Sequence, residues 1–107
     1  MKKVERRRHI RVPGPFTALQ VGKHDTPVRI VNLSEGGCSV ESSGTPPPIG
    51  ESIVLRISFP DEASLVVRGE ILYTRPGMGY GVLFSGLSES TYAELERAIA
   101  RIRRLMP

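Results

Sequence analysis

The chain has 107 residues, 39% of them hydrophobic, a length that holds one ordinary domain and leaves no second hydrophobic block for another. The formal charge is +4, but Lys2, Lys3, Arg6, Arg7, Arg8 and Arg11 stand against Glu5 alone, so residues 1–11 carry +5 and the other 96 about −1. Cys38 is the only cysteine, which excludes an internal disulfide and with it a disulfide-framed secreted scaffold, and no stretch approaches the roughly 18 apolar residues of a membrane-spanning helix.

Residues 1–14 are expected to form a flexible basic arm. Charge gathered on so short a segment suits a small multivalent anion, nucleic acid or an acidic surface better than it suits general solubility. Met1 is followed by charges with no apolar stretch behind them, so no signal peptide is expected. Together with the lone thiol, this points to a cytoplasmic protein that does not insert into a membrane.

Residues 15–107 are expected to form one domain. With three Phe, three Tyr and no Trp, its core must rest on Val, Ile and Leu, a composition that favours strands. Six strands are predicted, at about Pro15 to Val21, Val28 to Leu33, Cys38 to Ser42, Ser52 to Phe59, Leu65 to Arg75 and Gly79 to Phe84. Between them, Lys23 to Pro27, Phe59 to Glu62 and Arg75 to Gly77 set Pro beside polar or Gly residues, where a strand must stop. Ile53, Leu55, Ile57 and Phe59 alternate with Ser52, Val54, Arg56 and Ser58, giving one buried and one more polar face. Six short strands bury little as an open sheet, so an all-β fold closed into an antiparallel barrel is predicted, with a two-sheet sandwich as the alternative.

Ser43 to Gly50, with prolines at 46, 47 and 48, reads as a stiff surface loop in polyproline II geometry. Gly77-Met78-Gly79-Tyr80-Gly81 has the look of a dinucleotide fingerprint, but Val82, Leu83 and Phe84 continue a strand where that motif must open a helix; it is a hairpin entry. At the end the period changes. Tyr92, Leu95, Ile99, Ile102 and Met106 recur at intervals of three and four, Thr91 and Glu94 fit a capping box, and four arginines favour the C-terminal end, predicting an amphipathic helix over about 89–105. Its apolar stripe is expected to pack on the barrel, and its spacing is also compatible with a homodimer or partner surface.

Catalytic constellations are missing. His9 and His24 are the only histidines and lack further ligands at metal spacing, so no metal site is expected. There is neither a Gly-x-Ser-x-Gly elbow nor a Walker loop. Cys38 sits between Gly37 and Ser39 and reads as a small core residue. The expectation is a binding module, not an enzyme, without a cofactor.

Two segments exceed what a plain β-domain requires. Arg6-Arg7-Arg8-His9-Ile10-Arg11 offers planar guanidinium forks that can pair bidentately with phosphate or with guanine O6 and N7. Asn32-Leu33-Ser34-Glu35-Gly36-Gly37 ends one strand and begins another; Asn and Ser on such a turn can bond a base edge, and the glycines permit close approach of backbone. Either alone is a common surface feature.

In combination they resemble the PilZ domain, a bacterial receptor for cyclic di-GMP, whose two-part pattern is Arg-Arg-x-x-x-Arg followed by Asp/Asn-x-Ser-x-x-Gly. Arg6, Arg7 and Arg11 match the first part, and Asn32, Ser34 and Gly37 the second. The resemblance implies a six-stranded antiparallel barrel with a C-terminal helix, in which the arginine arm folds over the arriving nucleotide. It implies that Arg7 and Arg11 grip guanine and phosphate, that Asn32 and Ser34 hold a guanine edge, and that Gly37 leaves room for it. Arg6 occupies the place tied in this family to the choice between one nucleotide and an intercalated pair, and it points to the pair. With no output domain in these 107 residues, a stand-alone adaptor signalling to a protein partner is expected. Two alternatives are a PilZ-fold adaptor that ignores nucleotide and a small nucleic-acid-binding barrel. The second would want exposed aromatic platforms that this chain barely supplies, so nucleic acid is not the expected partner.

Overall fold

The computed structural model describes residues 11–60 and 63–105. Apolar residues at every second position bring β-branched side chains to one face, and that face closes on itself. The elements in chain order are β1 (Val12–Val21), β2 (Thr26–Leu33), β3 (Gly37–Glu41), β4 (Ser52–Ile57), β5 (Leu65–Arg75), β6 (Gly79–Phe84) and α1 (Glu89–Leu105). The strands pair antiparallel in the order β1-β2-β3-β6-β5-β4, and β4 returns to β1 to complete a barrel. The barrel expected from the sequence is therefore present, and the sandwich is not.

Ile30, Leu33, Leu55, Ile57, Ile71, Val12 and Val67 fill the barrel and are sealed from solvent. Around β4 the alternation predicted from the sequence holds: Ile53, Leu55, Ile57 and Phe59 are buried while Ser52, Arg56 and Ser58 are exposed. Phe59 lies beyond the end of β4 but still reaches the core, meeting Phe16 edge-on with ring centroids 6.0 Å apart. Leu95, Ala98 and Ile99 carry α1 onto this core, with Ile102 packed beside them. No helix among the described residues is long and apolar enough to cross a membrane.

Several boundaries differ from expectation: β3 runs one residue earlier than predicted and β4 ends two residues sooner, and three other differences have a local reason. β1 begins at Val12, three residues early and inside the segment assigned to the arm, because the Pro13-Gly14-Pro15 break is absorbed by a bulge between Pro13 and Phe16. β2 likewise starts at Thr26 and takes in Pro27, which pairs with Leu19. The helix cap is Ser88, not Thr91: the Ser88 hydroxyl accepts the Thr91 amide at 3.1 Å and donates to the Thr91 hydroxyl at 3.0 Å. The Gly77 to Gly81 segment is the β5–β6 hairpin entry, closed by the Met78 amide on the Arg75 carbonyl at 2.8 Å.

Two further bulges decide what the outer wall displays. In β2, Ile30 pairs with Val40 and Asn32 with Ser39, which leaves Val31 as the extra residue. In β5, Ile71 pairs with Val82 and Tyr73 with Gly81, which leaves Leu72 extra. Strict alternation after the buried Ile30 and Ile71 would aim Asn32 and Tyr73 inward. Each bulge inserts one residue and turns them outward instead.

Candidate functional site

Asn32, Ser39, Gly81 and Tyr73 are consecutive register partners across β2, β3, β6 and β5, so they form one transverse row on the outside of the barrel. At about 4.8 Å per strand, the row runs about 14 Å. At its β2 end the Arg11 Nη1 donates to Asn32 Oδ1 at 3.0 Å, joining two residues 21 positions apart. From its β5 end the Tyr73 ring crosses Gly81 of β6, and its hydroxyl is hydrogen-bonded to Ser39 Oγ of β3 at 2.9 Å. Arg75, two residues along the same face, sets its guanidinium over the Tyr73 ring, 5.1 Å from the centroid.

The turn after β2 is built by Ser34, which is only 4% exposed. Its amide donates to the Gly37 carbonyl at 2.9 Å, and its Oγ accepts the Gly36 amide at 3.2 Å. The hydroxyl also reaches the Gly37 carbonyl, at a long 3.4 Å. Since the Ser34 amide already serves that carbonyl, the hydroxyl proton can be given to another acceptor without orphaning anything. Gly36 is held to β6 by the Phe84 amide at 2.9 Å. Glu35, at the tip, accepts a 2.9 Å bond from the Tyr92 hydroxyl, which ties the turn to the first part of α1. That bond, then partial burial and the neighbouring charges of Glu35 and Glu96, push the Tyr92 phenol up from its ordinary value.

Gly37 has a demand of its own. A Cβ there would run into the Val82 carbonyl oxygen, so the close approach of β3 to β6 requires glycine whatever the ligand. Gly81 is similar, since a Cβ would land on the Cε2 edge of the Tyr73 ring.

Arg11, Ser34, Gly37, Ser39, Leu72 and Leu83 are among the walls of a cleft of about 480 Å³. A second cleft of about 190 Å³ takes Asn32, Ser39, Tyr73 and Arg75 into its lining. A larger groove among the described residues, about 1020 Å³, lies elsewhere, around Thr17, Leu19, Pro27 and Met78. Its charged lining is Arg29 and Glu41, which pair with each other at 3.6 Å, so it offers little to an anion.

Of the six residues expected to form the site, Arg11, Asn32, Ser34 and Gly37 fall within one region of the barrel wall, while Arg6 and Arg7 lie outside the described residues. Among the described residues, no group of His, Cys, Asp and Glu could hold a metal. Cys38 is buried at the wall of the cleft, and desolvation pushes its thiol up to about 12, the opposite of what a nucleophile needs. Sequence reasoning missed Ser39, Tyr73 and Arg75. The signal available was the unbroken run Ile71-Leu72-Tyr73, where alternation fails as it does at a bulge.

The fold matches the inhibitor of motility (MotI/DgrA) of Bacillus subtilis with a TM-score of 0.72 at 21% identity, covering 90% of this chain and 50% of that one, so the chain spans half the length of that protein. It matches the PilZ domain of Escherichia coli YcgR, solved with c-di-GMP, with a TM-score of 0.77 at 16% identity over 92% of each chain. The PilZ domain of CeSA from a cellulose-synthesizing bacterium matches with a TM-score of 0.67 at 16% identity, covering 88% of this chain and 98% of that one. No curated protein matches the sequence. The family model for the PilZ domain matches residues 5–101, and the chain belongs to the PilZ domain family.

Proposed function

We propose that this chain is a cyclic di-GMP receptor that passes the signal to a protein partner by contact. One observation carries the reading: the Arg11 to Asn32 hydrogen bond brings the two halves of the motif together on the barrel wall, beside the cleft that Arg11, Ser34 and Gly37 line. With Asn32 Oδ1 engaged by Arg11, its amide nitrogen is the donor end left for a base. The Ser34 hydroxyl is the spare donor in the turn beside it.

Arg7 and Arg11 supply guanidinium forks to guanine and phosphate, Asn32 and Ser34 hold a guanine edge, and Gly37 keeps backbone rather than side chain against the ligand. Arg6 selects an intercalated pair over a single nucleotide. Relatedness to a domain solved with c-di-GMP over 92% of its length supports the ligand. The output is a surface made jointly of protein and nucleotide, which a partner meets only when the ligand is present.

Calorimetry with cyclic di-GMP tests this. Micromolar or tighter binding is expected, abolished in Arg7→Ala and in Arg11→Ala, and a parent protein that takes up no nucleotide overturns the reading. The same titration gives stoichiometry: a ratio near two supports the role of Arg6, and a ratio of one removes it.

A further inference from the structure

The apolar stripe of α1 is taken up by the barrel, so any surface the helix offers outward is its opposite side. Leu95, Ala98 and Ile99 are buried with Ile102 packed beside them, and the Tyr92 hydroxyl is bonded to Glu35, which fixes the rotation of the helix about its axis. At 3.6 residues per turn the side turned away from the barrel is Glu89, Ala93, Arg97, Ala100 and Arg104, with Glu96 at its edge. All are exposed except the half-buried Ala93.

Charge along that side is antisymmetric. The acids of α1, Glu89, Glu94 and Glu96, all precede its arginines, which begin at Arg97. Glu89, Glu96, Arg97 and Arg104 form no ion pair with other described residues. Two copies of the helix laid antiparallel about a two-fold axis between Glu96 and Arg97 set Glu89 against Arg104, Ala93 against Ala100 and Glu96 against Arg97, each pair occurring twice. A parallel pair would instead oppose Glu89 to Glu89 and Arg104 to Arg104. The alanines fall between the charged pairs, where small side chains let helix axes approach to about 8 Å.

We propose that this outward side of α1 is a self-association surface on which a second copy of the chain docks antiparallel. A helix of 17 residues is about 25 Å long, presents little apolar area here, and its exposed ion pairs each contribute little, so the dimer is weak and salt-sensitive. It requires no nucleotide, and stands or falls apart from the receptor reading.

Sedimentation equilibrium of the nucleotide-free protein up to about 1 mM, the range of weak complexes, tests this. A monomer–dimer equilibrium is expected, weakened roughly tenfold as salt rises from about 0.05 M to about 0.5 M and screens the charges. Glu96→Arg and Arg97→Glu each put four like charges at the axis and are expected to weaken association roughly tenfold or more, whereas the double variant Glu96→Arg/Arg97→Glu should return to within about threefold of the parent. Both positions are exposed and mid-helix, and circular dichroism checks that each variant keeps its helix. Oxidative crosslinking reads the register. Ala93→Cys chains mixed with Ala100→Cys chains should form a disulfide-linked dimer and neither should do so alone, because like positions then stand about 10 Å apart along the axis, beyond disulfide reach. A parent that stays monomeric throughout, a double variant as weak as the single ones, or Ala93→Cys chains that crosslink to one another would overturn the proposal, and none of these results bears on uptake of cyclic di-GMP.

Discussion

Gly37 shows why a motif residue and a ligand residue are different things. The role proposed for it is to make room for nucleotide, yet its missing Cβ is already required by the Val82 carbonyl of the neighbouring strand. Gly37→Ala must therefore push β3 and β6 apart before any ligand arrives. It is expected to cost on the order of 2 kcal/mol, the usual scale of an overpacked site, and to lower the urea midpoint of the nucleotide-free protein. If the midpoint were unchanged while cyclic di-GMP binding fell, the glycine would be a ligand residue alone. Ser34 divides differently, because its amide and the acceptor side of its hydroxyl build the turn while the hydroxyl proton is lightly held. Substitution by Ala therefore removes a turn bond together with any ligand bond, and is a poorer probe of binding than Arg11→Ala.

At the scale of elements, α1 is held by two devices in its first turns. Ser88 caps it, and Tyr92 ties it to Glu35 in the motif turn. Ser88→Ala removes the acceptor for the Thr91 amide and should cost about 1 kcal/mol, read as a lower urea midpoint with early loss of helical circular dichroism. Thr91→Ala should cost less, since its amide remains capped; equal losses would restore Thr91 as the cap. The strands and the helix were legible in the sequence because their periods are strong and their turns carry Pro and Gly. The helix cap was not, because Ser88-x-x-Thr91 lacks the Glu or Gln that marks a capping box, whereas Thr91-x-x-Glu94 has it. The bulges at Val31 and Leu72 were equally hidden: a bulge is a property of the pair of strands, and one strand's sequence shows only a lapse in alternation. Hence Asn32, carried by a motif, was found, and Tyr73, carried by a bulge, was not.

For the whole molecule, barrel closure is the fact with the widest consequence, because it puts two acids in the core. Closure leaves Cys38 4% and Tyr80 2% exposed, at diagonal positions of the β3–β6 wall where Cys38 pairs with Val82 and Tyr80 with Val40. Desolvation pushes the Cys38 thiol from 9.0 to about 12. Desolvation first, and then the nearby Cys38, pushes the Tyr80 phenol from 10.0 to about 12, while its hydroxyl donates to Gln20 Oε1 at 2.7 Å. Both groups hold their protons more tightly folded than unfolded, so above pH 9 the unfolded chain releases protons that the native barrel retains. Stability is then full below about pH 9 and falls as pH rises toward about 12. The melting temperature should decline across that interval more steeply than exposed lysines and tyrosines alone would require. Tyr80→Phe keeps the ring but removes one titrating group, at the cost of leaving Gln20 without its donor, so it should melt lower at pH 7 and yet lose less on going to pH 11. Cys38 should resist a thiol reagent at pH 8 in the native protein and react at once in denaturant. A native thiol that reacts freely, or a melting temperature flat from pH 9 to 12, would mean that the closed wall admits water and that Cys38 and Tyr80 are not the sealed pair the barrel makes them.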